Sequence, residues 1–563
     1  MYVKNLKQDF YEFLAAKRIL LIANYDIDSI CTCKILQPLL KQEYCVYTLE
    51  VVKNTDDLKR VYHENCDDVK YFVLINCGGT VDILECLEPE EDVLFFILDA
   101  HRPTDVYNIY SDNQVRLLCS QESDVNVPKF HDIFTEDDES ENEEHESEKE
   151  DSDEVEDRAV KRQRLEERII RRREKRIWEQ NREEILRKYA QYTYYAYPSA
   201  ITMFNLAWKL SKDDMDFLWY AIVALAEQEV LGKIEDSNYV LETGTLQSHA
   251  NRLRNRTADN NLATSTKIEF EKDLRLALYR HWTVESSLKY STYTACKLKL
   301  WSIKGEMKLH ELLVDMGLPL VQSKQNFSSM DLDLRQEFLS KLEKFSEKYG
   351  LTDIIYSTFT LSYGYRNKFT ASDYVYALIA ILDASSSDKN PQECFHLALD
   401  CLSRTKKEVL HSALERAKNI ITTLFKTVQN ALDMKRVISA GPFLYYIIQE
   451  GSTGWQLLSQ PNILFMLAQF LLKAYVSTSS NRKAQSLPLL VSAPSDADKG
   501  TCILLGVPPL CEDSTKNLFG EAFQQIASNI NCDTFANYFD TSYVDLHIKD
   551  RTRFLDALTA IVL

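Results

Sequence analysis

Short apolar runs separated by helical segments dominate the first 130 residues. Runs at 18–23, 47–52, 71–75 and 93–98 are apolar and rich in β-forming residues, and the segments between them carry apolar residues at helical spacing. Strands that are apolar on both faces and alternate with helices are typical of a parallel sheet covered by helices. The pattern predicts an α/β domain in this part of the chain.

A change in charge marks the next segment. Residues 136–157 hold fifteen acidic side chains and one lysine, whereas residues 158–188 hold thirteen basic and six acidic ones. The acidic run lacks the apolar residues of a core, which predicts a disordered loop at about 135–158. Apolar residues at helical spacing among the basic ones predict a long basic helix at about 159–190. This helix is either a solvated helix packed by one apolar stripe or a contact surface for nucleic acid or a partner.

Helices dominate the middle of the chain. A strongly apolar helix is expected at 215–231, and Ser211, with Asp214 three residues later, is expected to cap it. Residues 236–350 have mostly helical patterns around a polar loop at 251–266.

Strand patterns return toward the carboxyl end. Runs near 441–448, 487–493 and 501–507 predict strands, the last two forming a hairpin, and a final helix is expected near 553–563. The elements divide the chain into an α/β domain at 1–235, a mostly helical inter-domain region at 236–400 and a smaller α/β domain at 401–563.

Composition limits the classes of function. The formal net charge is −19, and the longest apolar run is far shorter than the roughly 18 residues that cross a bilayer, so no membrane contact is expected. The amino-terminal sequence lacks the pattern of a secretory signal. Thirteen cysteines are scattered without a C-x-x-C pair, which favours free thiols in a reducing compartment over structural zinc. Because the phosphate loop G-x-x-x-x-G-K-[ST] is missing, ATP-driven work would depend on a partner.

Polar residues directly follow three of the predicted strands. Asp26 and Asp28 form a D-x-D after the first run, Asn76 follows the third, and Asp99 and His101 follow the fourth. Ligands of parallel α/β sheets bind beyond the carboxyl ends of the strands. Carboxylates and histidine suit a divalent metal such as manganese. The alternative for the D-x-D alone is a pair of solvated turn aspartates.

These segments resemble the DHH phosphoesterase superfamily, which includes the RecJ single-strand exonuclease. The resemblance is carried by "RILLIANYDIDSICTCKIL", "YFVLINCGG" and "FFILDAHRP". It implies an N-terminal DHH-type parallel-sheet domain, a helical inter-domain insertion and a smaller C-terminal α/β domain.

The chain departs from the superfamily at two motifs. Asn76 stands where the second motif has Asp, and Ala100 stands where the third motif, D-H-H, has its first His. Glu227, in "ALAEQ", is the best counterpart of the acidic residue in a fourth motif. Two-metal hydrolysis needs enough anionic ligands to hold both cations. We therefore expect Asp26, Asp28, Asn76, Asp99, Ala100, His101 and Glu227 to form a vestigial site without catalytic residues, bound metal or cofactor.

Other segments are similar to one family of eukaryotic replication factors within that superfamily. They include the acidic run, "RRREKRIWEQNREEIL", "FLWYAIVALAEQ", "GPFLYY" and "FLDALTAIVL". The resemblance implies a non-catalytic subunit of the nuclear replicative DNA helicase that bridges the MCM helicase ring and the GINS complex and guards single-stranded DNA. A contact with replicative polymerases fits the same resemblance. The alternative is an active manganese-dependent 5′ exonuclease or phosphoesterase.

Basic and aromatic residues provide candidates for two further roles. A single strand is bound by cations that follow phosphates and by rings that stack on bases. The candidates for this role are Arg102, Tyr363, Tyr365, Arg366, Lys368, Arg482 and Lys483. A two-part nuclear import signal is the second role, with Lys161, Arg162, Arg164, Arg171, Arg172, Arg173, Lys175 and Arg176 as its basic residues. For all of them the alternative is a solvated surface charge or, for the import residues, an ordinary basic helix.

Overall fold

The computed structural model describes most of the chain. The described residues are 1–111, 113–119, 124–134, 158–258, 266–364, 367–383, 390–479, 482–496, 499–510, 516–530 and 538–562. Residues 135–157 of the predicted acidic loop lie outside the described residues.

A parallel sheet forms the N-terminal domain. The described strands up to residue 117 are β1 (Arg18–Asn24), β2 (Val46–Val52), β3 (Tyr71–Ile75), β4 (Leu94–Leu98), β5 (His101–Arg102) and β6 (Val115–Leu117). All but β5 join one parallel sheet in the order β2-β1-β3-β4-β6. Leu20 and Phe72 face one apolar layer and Leu21 and Val73 the other, so both sides of the sheet are buried. This burial explains the continuous apolar runs that predict the strands.

Helices cover both faces of this sheet. Through residue 230 they are Ile27–Gln42, Thr55–Asn65, Ile83–Leu87, Val106–Tyr110, Phe130–Ile133, Arg158–Ala190, Ser199–Lys209 and Met215–Val230, with a π-helical turn at Lys7–Glu12. The predicted basic helix is present as Arg158–Ala190. The expected cap at Ser211 is wrong: Asp214 caps the helix Met215–Val230 by accepting the N–H of Phe217 at 2.7 Å. Ser211 has a φ of 58° and lies before the helix.

The middle of the chain combines helices with a small antiparallel sheet. Its helices are Asp236–Ala258, Val284–Tyr290, Thr292–Leu298, Ile303–Asp315, Leu320–Ser323, Leu332–Ser346, Ala371–Leu382 and Pro391–Cys401, with 3-10 turns at Tyr279–His281 and Phe327–Ser329. Strand β7 (Tyr194–Tyr195) pairs with β5, and β8 (Lys267–Leu274), β9 (Ile355–Tyr363) and β10 (Asn367–Thr370) form the sheet. The predicted polar loop at 251–266 is wrong as far as Ala258, because the helix Asp236–Ala258 continues to that residue.

A smaller mixed sheet forms the C-terminal part. It consists of β11 (Ile438–Ser439), β12 (Leu444–Ile447), β13 (Leu489–Pro494), β14 (Thr501–Val507) and β15 (Tyr543–His547) in sequential order. Its helices are Lys407–Asp433, Trp455–Leu458, Pro461–Thr478, Phe519–Ile530 and Arg551–Val562, with a 3-10 turn at Arg482–Ser486. The predicted hairpin is confirmed, since β13 and β14 pair antiparallel. No described helix has the length and apolarity needed to cross a membrane.

The mixed α/β fold expected from the sequence is confirmed: a parallel N-terminal sheet, many helices and a smaller C-terminal sheet. The domain limits at 235 and 400 stay predictions. One apolar core continues from the helix Ile27–Gln42 to the helix Pro461–Thr478 and strand β14, so the C-terminal part packs directly against the rest of the molecule.

Candidate functional site

The carboxyl ends of β1, β3 and β4 border one cavity of about 670 Å³, which we call the strand-end cavity. Its lining includes Asp26 after β1, Asn76 after β3, and Ala100 and His101 after β4. Glu227, on the helix Met215–Val230, also lines it. Asp99 lies behind this wall and does not line the cavity. The structure therefore brings six of the seven predicted site residues to one cavity and places Asp99 beside it.

The D-x-D turn is built into the start of the helix Ile27–Gln42. Asp26 is the N-cap residue and accepts the N–H of Ser29 at 2.6 Å. It also accepts the side-chain amide of Asn24 at 2.8 Å. Burial raises the pKa of Asp26 above its ordinary value, although the bond from Ser29 offsets part of this effect.

Asp28 points into the start of a second helix. Its carboxylate accepts the N–H groups of Ser199 at 2.8 Å and Ala200 at 3.0 Å, where the helix Ser199–Lys209 begins. The positive end of a helix favours such a carboxylate. Burial and the neighbouring charge of Asp26 nevertheless raise the pKa of Asp28 to about 7. The negative charge on this turn is therefore only partly compensated.

The orientation of Asn76 is fixed by its neighbours. Its Oδ1 accepts the N–H of Ala100 at 3.1 Å and the hydroxyl of Ser199 at 2.6 Å. Its Nδ2 therefore faces the D-x-D and donates to Asp28 at 2.9 Å, with Asp26 at 3.4 Å. A cation bound between the two aspartates would meet an N–H group at this position. The carbonyl oxygen, which is the atom that an asparagine can offer to a metal, is used on the opposite side.

Asp99 and His101 form a buried pair beside Asn76. Nδ1 of His101 lies 2.7 Å from Oδ1 of Asp99, and Asp99 also accepts the N–H of Gly79 at 2.8 Å. Burial alone would raise the pKa of Asp99, but the attraction to His101 outweighs it and lowers the pKa. Burial likewise works to lower the pKa of His101, and Asp99 reverses this. A Cβ on Gly79 would lie 2.7 Å from the Cβ of Asp99, so this turn requires glycine.

Glu227, the residue that the sequence analysis offers as the counterpart of the fourth motif, forms an ion pair with a lysine. Nζ of Lys233 lies 2.9 Å from Oε1 of Glu227, and the two side chains are 13% and 6% exposed. Burial works to lower the pKa of Lys233, but Glu227 and Asp540 raise it, so the lysine stays charged. Among the described residues no group of three or more His, Cys, Asp and Glu side chains has the arrangement of a metal site.

Residues of the C-terminal part close the cavity, and sequence reasoning missed them. Tyr538, Asp540 and Tyr543 line the wall opposite the strand ends. Tyr195 of β7 donates its hydroxyl to Asp540, and Thr80 donates to the carbonyl of Phe539 at 3.3 Å. No spacing in the sequence relates residues that are some 350 to 450 positions apart, so no local signal could have found this wall.

The link between Tyr195 and Asp540 provides a first prediction. Replacing Tyr195 by Phe should lower the free energy of unfolding by about 1–2 kcal/mol, because the half-buried carboxylate of Asp540 loses one hydrogen-bond donor. Tyr197→Phe is the matched control, since Tyr197 is 44% exposed. Urea unfolding followed by circular dichroism measures both. Equal stability of the two variants would contradict a role of this bond in holding the C-terminal wall.

Arg102 does not lie on a surface that a strand could reach. Its side chain is 1% exposed, and its Nε lies 3.3 Å from Oδ1 of Asp124. Its Nη1 donates to the carbonyl oxygens of Asp99 at 2.8 Å and His101 at 2.7 Å. The expected phosphate contact of Arg102 is therefore wrong, and the residue positions the loop after β4 instead.

The other strand-binding candidates are dispersed. Tyr363 is 8% exposed and stacks on Phe369, so its ring is occupied. Lys368 forms an ion pair with Glu271 at 2.6 Å, and Lys483 is exposed. Tyr365, Arg366 and the side chain of Arg482 lie outside the described residues. The ring of Tyr363 is not free to stack on a base, so its expected role is wrong. The strand-binding role of Tyr365, Arg366, Lys368, Arg482 and Lys483 stays a prediction.

The basic residues of the import pattern lie on the helix Arg158–Ala190. The exposed ones are Arg172, Arg173, Lys175 and Arg176. The side chains of Lys161, Arg162, Arg164 and Arg171 lie outside the described ones. Exposure is what an import receptor needs, and the import role itself stays a prediction.

The parallel sheet and the polar residues at its strand ends define an α/β protein with a strand-end site. The CDC45 family model matches residues 19–159 and 129–561. The human cell division control protein 45 homolog is 41% identical over 570 residues, which cover 100% of both chains. The homolog of Schizosaccharomyces pombe is 27% identical and covers 95% of this chain and 94% of its own. The crystal structure of CDC45 from Entamoeba histolytica aligns over 100% of both chains with a TM-score of 0.70 at 22% identity.

The chain belongs to the CDC45 family. Membership confirms the resemblance to a family of replication factors that the sequence motifs indicate. The CDC45 structure from Entamoeba histolytica, which aligns over the whole chain, has the same fold.

Proposed function

We propose that this protein is a non-catalytic scaffold subunit of the nuclear replicative DNA helicase, which bridges the MCM ring and the GINS complex and guards single-stranded DNA. Membership of a family of replication factors supports the general role. The finer role rests on the combination of an intact fold with an altered site.

One observation supports the non-catalytic part of the proposal most strongly. The amide nitrogen of Asn76 lies 2.9 Å from Asp28 and faces the position where a catalytic cation would need an oxygen ligand. The opposite oxygen of the same amide already accepts two hydrogen bonds. Losing one metal ligand or an outer-shell partner costs about 10–100-fold in metal affinity or activity. A hydrolase of the two-metal type would lack two ligands here, at Asn76 and Ala100.

The scaffold part of the proposal rests on surface rather than on the cavity. The helix Arg158–Ala190 presents Arg172, Arg173 and Arg176 to solvent together with exposed Ile169 and Ile177. Isolated exposed apolar residues are common, but several on one basic helix are suited to a protein contact. This helix is the described surface that we expect to meet a partner of the helicase.

The test of this function is a manganese-dependent digestion assay on 5′-labelled single-stranded DNA, with strand binding measured in the same samples at two salt concentrations. We expect intact DNA and binding that weakens as salt increases. Gel filtration with purified MCM ring and GINS complex should show joint elution.

The double variant Asp26→Ala/Asp28→Ala is the control for digestion. Hydrolysis by the natural sequence that disappears in this variant would mean that the altered site still works as a manganese nuclease. Intact DNA without strand binding would remove the guarding role and leave an adaptor, and failure to elute with either complex would contradict the scaffold role.

A further inference from the structure

We propose that the strand-end cavity binds an organic cation, a guanidinium or alkylammonium group, and excludes nucleic-acid phosphate. This inference concerns the ligand of the cavity and does not depend on the scaffold role proposed above. It rests on the charges, the aromatic rings and the size of the cavity.

Carboxylates outnumber lysines on the cavity wall. The lining carboxylates are Asp26, Asp28, Glu227, Asp383, Asp496 and Asp540. Glu227 is paired with Lys233 at 2.9 Å and Asp496 with Lys499 at 3.5 Å. In the part of the chain that the structure describes, the other four have no ion pair within 4.0 Å. The other lining cations are Lys53 and His101, and His101 is paired with Asp99 at 2.7 Å behind the wall.

Hydrogen bonds do not remove this excess charge. Asp28 is held by two backbone N–H groups and an amide, and Asp383 by the N–H of Ile463 at 3.1 Å and the amide of Asn462 at 3.3 Å. These donors are neutral and satisfy lone pairs without adding positive charge. Burial raises the pKa of Asp28 to about 7 and that of Asp383 to about 6, so both carboxylates contribute negative charge above pH 7. A concave wall of one sign concentrates the field inside it, which attracts cations and repels phosphates.

Aromatic rings on the same wall favour an organic cation over a hydrated metal ion. Two of them already face ammonium groups of the protein: Nζ of Lys53 lies 4.5 Å from the ring centre of Tyr25, and Nζ of Lys233 lies 4.6 Å from that of Tyr195. Trp455 and Tyr543 line the cavity as well. Tryptophan and tyrosine faces attract guanidinium and alkylammonium groups.

The cavity has room for such a ligand. Its volume of about 670 Å³ lies within the range of about 300–1,000 Å³ found for small-molecule sites. Two kinds of molecule carry such a cation. One is a partner protein with an arginine or lysine side chain, and the other is a free polyamine. Either would offset the excess of carboxylates on this wall.

Isothermal titration calorimetry on the full chain tests the proposal. The probes are spermine, N-acetyl-arginine amide, inorganic phosphate and manganese chloride, each at 50 and 300 mM NaCl. We expect binding of at least one organic cation, weakened several-fold by the higher salt, and no binding of phosphate. Spermine binding alone indicates a polyamine, and binding of the arginine probe indicates a partner side chain.

Two variants locate the binding. Trp455→Leu removes a ring, and Asp540→Asn removes a charge while keeping an acceptor; each should weaken the cation about tenfold. Trp208→Leu, which alters a 44% exposed tryptophan outside the cavity, is the matched control. Thermal unfolding checks that the variants fold, and Trp455→Leu remains informative if Asp540→Asn does not. Binding of phosphate, binding of neither organic cation, or affinities unchanged by Trp455→Leu would overturn the proposal.

Discussion

Replacing Asn76 by Asp should lower the free energy of unfolding by about 3–5 kcal/mol at pH 7.5, because it turns a bridging amide into a third buried carboxylate. In the natural sequence Nδ2 of Asn76 donates to Asp28 at 2.9 Å. An oxygen at that position would instead repel Asp28, whose pKa is already raised to about 7 by burial and Asp26. The substitution therefore replaces the hydrogen bond between residue 76 and Asp28 by the repulsion of two carboxylates.

The same substitution should make stability depend on divalent metal. Three carboxylates that face one another are compensated by a cation, so about 1 mM Mn²⁺ should raise the melting temperature of Asn76→Asp by several degrees and leave that of the natural sequence unchanged. Adding Ala100→His should increase the effect. Differential scanning fluorimetry with and without Mn²⁺ measures it.

Asn76→Gly is the matched control. Asn76 has a φ of 52°, a conformation that glycine adopts freely, so this variant removes the amide without adding charge or backbone strain. It should cost about 1–3 kcal/mol for the unpaired donors and acceptors left behind and show no response to Mn²⁺. If Asn76→Asp proved as stable as the natural sequence, the amide would not have the bridging role that its hydrogen bonds indicate.

The sequence predicts the strands and their ends well for a physical reason. Strands buried on both faces must be apolar throughout, so their lengths and their carboxyl ends are visible as continuous runs. Because parallel strands end at one edge of a sheet, Asp26, Asn76 and His101 could be placed around a common cavity before any coordinates. The candidate site at the strand ends is therefore the part of the molecule that sequence reasoning describes best.

Contacts between distant parts of the chain could not be predicted in this way. The orientation of Asn76 depends on Ser199, which is 123 positions later in the chain. Closure of the cavity depends on Asp540. Local sequence patterns do not predict which side chains are in contact when they are far apart in the chain. The cavity wall formed by the C-terminal part therefore could not be predicted from such patterns.

The role of a charged residue is equally hard to predict from the sequence, as Arg102 shows. An arginine after a metal motif suggests a phosphate contact, because most arginines keep their charge in solvent. The structure instead buries it against Asp124 and two backbone carbonyls. The sequence displays the charge of a side chain but not its burial, and the burial decides between binding a ligand and positioning a loop.

Asp28→Ala should destabilise the protein by about 3–5 kcal/mol at pH 5, because three buried donors lose this acceptor and only the amide of Asn76 keeps another one, Asp26 at 3.4 Å. These donors are the N–H groups of Ser199 and Ala200 and the amide of Asn76. Asp82→Ala, which removes an N-cap carboxylate from the helix Ile83–Leu87, is the control and should cost about 1 kcal/mol. Chemical denaturation at fixed pH measures both variants.

The cost of Asp28→Ala should shrink as pH rises. Burial and Asp26 raise the pKa of Asp28 to about 7 in the folded protein from its ordinary value of 3.8. Between these values the folded state holds a proton that the unfolded state has lost, so stability from this group is present at low pH and is lost as pH rises through 7. The difference in unfolding free energy between natural sequence and variant should therefore be about 2–3 kcal/mol smaller at pH 8 than at pH 5. A difference that grows with pH would mean that the helix N-terminus, and not burial, determines the pKa of Asp28.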